Sequence, residues 1–276
     1  MEIKQRRSNL ELLRIVAMLM IIAFHIYWHC VSGQLTDPDS MERMGNGLFS
    51  VPLFYKKLLL LTVFSSFGRA ANVVFMTLTG YFMVAKGREI RLIPIAKKLL
   101  LEQGYAAVLL LITSLLVFRR NPDSCTTLTE INLFNSMSWY VGYYFLVMLL
   151  ARLFLNRYLE KLERKQYRLF LFALLCMTQF KWIIKLLNGV TGNLVILVTG
   201  VFLYSLGGYI RRYQPFARVR TWAIFGVIAG IYALLFLSTY AGVQDRIQDY
   251  YREASTDPFI QYIPNVGDNS IVAILL

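Results

Sequence analysis

The sequence predicts an all-α fold, a polytopic bundle of transmembrane helices, and three observations carry that prediction. Apolar runs of about twenty residues, the length a helix needs to cross the hydrocarbon of a bilayer, recur along the chain, and the run over 221–242 contains no charge. At 57% hydrophobic and 16% charged, the 276 residues are too apolar for a soluble domain of that size. Basic residues gather between alternate runs, as the positive-inside rule requires. No segment alternates polar and apolar residues over a strand's length, so the spanning element is a helix rather than a barrel strand.

Seven complete spans follow in order, over 10–31, 67–85, 99–118, 137–155, 168–187, 192–210 and 221–242. The first lacks a small-residue cleavage site before Trp28, so it is a retained span and not a cleavable signal. Residues 56–67 are apolar but too short to cross alone; they form either an interfacial helix or an extension of the second span. Trp28, Trp139, Trp182 and Trp222 mark span ends, where indole rings favour the headgroup region. After an outer loop holding Pro258 and Pro264, a last apolar run begins at Ile271 and stops at Leu276. That run is too short to cross a bilayer. The expectation is an eighth span cut short, so that 1–276 is a single membrane domain, incomplete at its C-terminus.

A net charge of +13 would suit a nucleic-acid partner on a soluble protein. Its distribution excludes one here. With the N-terminus cytoplasmic, nineteen of the 29 Lys and Arg residues fall inside, within 4–14, 86–98, 152–168 and 211–220, and the outer loops sum to about zero. Cys30, Cys125 and Cys176 are too few and too scattered for a disulfide framework.

Arg14 and His25 stand inside the first span. Eleven steps at about 100° per residue return their side chains to within roughly 20° of one another, about 16 Å apart along one helix face. Ionisable groups are costly in hydrocarbon and are kept where they line a cavity, a pathway or a site. On the residues alone, Arg14 either anchors an anion or snorkels to the headgroups, and His25 is either a base or a hydrogen-bonded packing residue. Glu11, within a turn of Arg14, reads as its ion-pair partner. His25 and His29 lie four apart but no third histidine exists, so a metal site is not expected. Lys181 and Lys185 either reach the outer interface or hold an anionic acceptor, Glu102 is equally open, and Thr79 with Gly80 reads first as a close helix contact.

The segment 9–25 resembles the opening of the acyltransferase-3 family, bacterial membrane O-acyltransferases whose hallmark is an arginine and a histidine separated by ten residues. Arg14 and His25 match it. The stretch 75–82 is similar to the family's Phe-rich Ser-Gly stretch, with Thr79 in the serine's place. Arg91 and Pro94 look like its basic turn, and Trp139 with Tyr140 like its outer aromatic pair. The chain departs from the pattern at Ala151, where a proline is common, and it has several fewer spans than family members.

The resemblance implies a multi-pass enzyme of the bacterial inner membrane with a cytoplasmic N-terminus. It would transfer an acyl group, acetyl in the first instance, from cytoplasmic acyl-CoA to a hydroxyl of a cell-surface glycan or its lipid-linked precursor. Acyl-CoA enters as co-substrate, with no tightly bound cofactor or metal. His25 would be the catalytic base or transient acyl carrier, since neutral imidazole is the usual proton acceptor near neutral pH and desolvation in the span favours that form. Arg14 would hold the donor's phosphates through its planar fork. Arg91, Thr79, Trp139 and Tyr140 are the further substrate-binding candidates, and Arg88, Lys97 and Lys98 extend a basic entrance. The rival is an exporter of a glycan or small organic acid, with the same polar groups lining a conduit and no covalent transfer. A third reading is a non-catalytic remnant.

Overall fold

The computed structural model describes residues 8–26, 54–120, 139–190, 194–234 and 237, and among them every regular element is helical. Expectations for Trp28, His29, Cys30, Cys125, the outer loops and the run 271–276 lie outside the described residues. The chain forms α1 (Ser8–Ile26), α2 (Phe54–Met83), a 3-10 turn (Val84–Glu89) and α3 (Leu92–Arg120). It continues as α4 (Trp139–Leu150), a π-helical turn (Ala151–Leu155) and α5 (Asn156–Lys161). Then come α6 (Arg164–Gln179), α7 (Lys181–Val190), α8 (Leu194–Tyr213) and α9 (Thr221–Leu234). Among the described residues two helices, Asn9–Ile26 and Leu194–Tyr213, are long and apolar enough to cross a membrane.

Local chemistry explains several boundaries. The apolar segment 56–67 is an extension: α2 runs unbroken from Phe54, 30 residues or about 45 Å of helix. Pro94 sits in the first turn of α3, where its missing N–H costs nothing. Ala151 keeps the N–H that a proline would remove, and the helix carries on through the π turn to Lys161. Gln166 Oε1 accepts the backbone N–H of Glu163 at 3.0 Å and starts α6.

One expected span is corrected. Residues 168–187 are not a single helix, because Phe180 is extended (φ −79°, ψ 118°) and separates α6 from α7. Thr178 Oγ1 donates to the Leu175 carbonyl at 2.9 Å, and Gln179 Nε2 donates to Thr178 Oγ1 at 3.3 Å. Side-chain bonds of this kind offer the backbone an alternative to the next helical turn. Neither half reaches the roughly 30 Å of a hydrocarbon core alone.

The bundle is organised around α2, with α1 packed antiparallel on one side and α8 on the other. Phe24 near the end of α1 lies on Gly68, while Arg14 near its start lies over Phe82 at the far end of α2. On the other side Gly80 meets the Tyr204 backbone and Gly207 meets the Thr77 carbonyl, so a Cβ on either would run into the opposing main chain. Small residues of this kind let the two backbones approach closely, and the close approach supplies the packing. The core lies between α2, α4, α6 and α8, around Met76, Val147, Met148, Tyr167 and Tyr204.

The end of the bundle that holds Phe82 is tied by polar groups. Asn156, 1% exposed, donates through Nδ2 to the carbonyls of Met83 (3.5 Å) and Gly87 (3.3 Å) and accepts the Tyr204 hydroxyl at 3.0 Å. Arg211 Nη1 donates to the Tyr81 carbonyl at 2.9 Å. Arg212 Nη1 donates to the carbonyls of Leu159 (3.0 Å) and Glu160 (3.2 Å), a cation at the C-terminal carbonyls of α5. The outer faces are apolar: Leu12, Ile15 and Leu19 on α1, Leu101, Ile112 and Leu116 on α3, and Trp222 and Phe225 on α9 are all exposed.

Candidate active site

Arg14 lies in the second turn of α1, where the helical period turns it toward α2 on the same stripe as Ala17, which is 1% exposed. Its guanidinium carbon stands 4.9 Å from the Phe82 ring centroid. Glu11 Oε1 is 3.7 Å from Nη1, the ion pair expected from a spacing of three. Both side chains remain partly open, 37% and 43% exposed, so the pair contributes little to stability.

Thr79 is buried in α2, one turn before Met83, and its hydroxyl donates to the Phe75 carbonyl at 2.9 Å. Tyr144 of α4 is half-buried, with Thr79, Arg14 and Glu102 in its electrostatic surroundings. Glu102 itself is exposed and pairs with Lys98 at 3.6 Å. The close helix contact expected at Gly80 is present.

His25 is in the last turn of α1, exposed, with its ring edge-on to Phe24 at 5.4 Å. Eleven residues of helix put it about 16 Å from Arg14. Arg91 is exposed in the link between the 3-10 turn and α3. Trp139 begins α4, and the Tyr140 ring lies 5.7 Å from that of Tyr143, tilted. Tyr140 is one turn from Tyr144 in the direction of the His25 end.

The sequence-derived candidates therefore fall into groups. Arg14 lies on Phe82 of α2, about one helical turn beyond Thr79. His25 is at the opposite end of α1, Arg91 is on the surface beyond Phe82, and Trp139 and Tyr140 open α4. Tyr144 was not singled out from sequence. Tyr140, Tyr143 and Tyr144 are alike by composition, and nothing in their spacing marks Tyr144 out. Among the described residues no three His, Cys, Asp or Glu side chains cluster to hold a metal ion. The arrangement offers a fixed cation on an aromatic floor at one end of a helix and an imidazole at the other. That separation suits an elongated anionic molecule better than a compact one.

A family model described as an acyltransferase domain matches residues 7–260, nearly the whole chain. No curated protein and no solved structure matches it.

Proposed function

The chain belongs to the acyltransferase-3 family, and on that premise we propose that it is a membrane O-acyltransferase that uses cytoplasmic acyl-CoA, acetyl-CoA in the first instance. The acceptor is a hydroxyl of a cell-surface glycan or its lipid-linked precursor. The protein is a single inner-membrane domain with a cytoplasmic N-terminus and seven complete spans, the fifth of them broken at Phe180. The exposed apolar faces of α1, α3 and α9 support this, since contiguous apolar surface of that extent suits lipid and not water.

The observation that carries the reading is the Arg14 to His25 arrangement on α1. Arg14, seated on Phe82, is free to turn its fork from Glu11 to a phosphate. An extended pantetheine chain is long enough to carry the thioester from phosphates held there to the level of His25. The imidazole then takes the proton of the acceptor hydroxyl as its oxygen attacks the thioester carbonyl carbon. The C–S bond breaks, and the CoA thiolate leaves with the proton returned by the imidazolium. Arg91 extends the basic approach, and Thr79, Trp139 and Tyr140 contact substrate along the path.

Membranes carrying the chain, supplied with acyl-labelled acetyl-CoA and the glycan fraction of the host, test this. The label is expected in an ester on the glycan. His25→Ala should reduce transfer by about 10²- to 10⁴-fold, the range for loss of a general base, while the protein still inserts. His29→Ala should be milder. Full transfer by the His25→Ala protein would remove the mechanism. The break at Phe180 favours a second reading, an exporter, because broken spans build substrate sites in transporters. Glycan movement without label incorporation would support that reading.

A further inference from the structure

Resting on the donor-anchor reading of Arg14, we propose that Arg211 is a second phosphate-binding residue at the same end of the bundle, taking the 3′-phosphate of CoA while Arg14 takes the diphosphate. Tyr81 and Phe82 are neighbours at the end of α2, with their rings edge-on at 5.4 Å. Each ring carries an arginine from a different helix. The guanidinium carbon of Arg14, on α1, stands 4.9 Å from the Phe82 centroid, and that of Arg211, in the last turn of α8, stands 5.6 Å from the Tyr81 centroid. Those three steps hold the two guanidiniums at most about 16 Å apart.

Arg211 is tethered but not neutralised. Its Nη1 donates to the Tyr81 carbonyl at 2.9 Å, and the Tyr81 ring lies beneath the guanidinium. The residue is exposed, and among the described residues no carboxylate pairs with it. A guanidinium has five N–H donors, so a single carbonyl leaves most of the fork for a ligand. Arg212, next in sequence, shows the purely structural use of such a cation: it bonds two carbonyls at the end of α5 and lies against Tyr213 at 5.3 Å. The order along the ligand follows from α1. The thioester runs from Arg14 toward His25, so the diphosphate, which is joined to the pantetheine chain, is the group at Arg14. The 3′-phosphate lies on the ribose beyond the diphosphate and is carried toward Arg211 across Tyr81. A nucleotide with a phosphate on either side of its ribose bridges a gap of that order, with one fork reaching in from each end.

The purified full chain in detergent, titrated with CoA and with dephospho-CoA, provides the test. The wild-type chain is expected to bind CoA about tenfold more tightly, the effect of charge-assisted hydrogen bonds to one phosphate. Arg211→Gln should lose that tenfold and bind the two ligands alike. Arg14→Gln should weaken both ligands by the same factor and keep their ratio. Removing a cation that only caps α2 would also weaken both ligands equally, so the ratio separates a ligand contact at Arg211 from a structural one. Arg211→Lys retains a cation for the Tyr81 carbonyl; should the glutamine variant fail to fold, the lysine variant is read instead, and its ratio should fall part of the way. Arg168→Gln removes an exposed cation from the first turns of α6 and is the control that leaves the ratio unchanged. A wild-type ratio in the Arg211 variants, or a wild-type chain that binds both ligands alike, overturns the proposal. A ratio that depends on Arg211 in a protein that transfers no acyl group supports it and sinks the transferase reading alone. A wild-type chain that binds neither ligand overturns both.

Discussion

Arg14 joins groups of two different kinds: a carboxylate one turn away on its own helix and an aromatic face on α2. A lysine at this position would keep the charge, but an ammonium lacks the plane that stacks on Phe82 and the fork that takes a phosphate through two bonds. Arg14→Lys is therefore expected to raise the KM for acetyl-CoA about tenfold or more, the cost of losing charge-assisted hydrogen bonds. Steady-state kinetics on membranes normalised for inserted protein measure this. An unchanged KM in Arg14→Lys together with Arg14→Ala would leave Arg14 as a snorkelling residue with no part in the donor site.

At the scale of elements, the contact between α2 and α8 is held in two ways that respond differently to substitution. Gly80 and Gly207 bring the backbones together, and the Asn156 carboxamide ties α5 to Tyr204 of α8, to the carbonyl of Met83 at the end of α2 and to that of Gly87 beyond it. Asn156→Ala leaves two carbonyls in part-buried bonds and the Tyr204 hydroxyl in a buried one without that partner. Each such loss costs about 1–3 kcal/mol. Tyr204→Phe deletes one bond and strands only the Asn156 oxygen. Thermal unfolding in detergent should thus place Asn156→Ala well below Tyr204→Phe, with both below the parent protein. Equal midpoints for the two variants would mean that the carbonyl bonds from Nδ2 contribute nothing.

For the whole molecule, the positive-inside count predicts an orientation that labelling can read. In a background without Cys30, Cys125 and Cys176, single cysteines at Ser8 and Lys165 should resist an impermeant thiol reagent in intact cells. Cysteines at Ser40 and Asp249 should react. Labelling of Lys165→Cys from outside would invert the assignment of α6 and with it the cytoplasmic placement of Arg14. The orientation matters for chemistry because acyl-CoA is made and kept in the cytoplasm.

The helical class, the approximate place of most described helices and the Arg14–Glu11 pair were legible without any structure. All of these depend on periodicity within a single helix, where 3.6 residues per turn and 1.5 Å per residue convert sequence spacing directly into geometry. The unbroken length of α2 and the break at Phe180 were not legible. Both depend on how side-chain and backbone hydrogen bonds compete at a few residues, and neither proline nor glycine marks Phe180. The crossing of Gly80 with Gly207 and the bonds from Asn156 to residues about 70 positions earlier belong to the tertiary structure alone. Those contacts join helices far apart in the chain, and which faces meet is decided by the packing of the whole bundle.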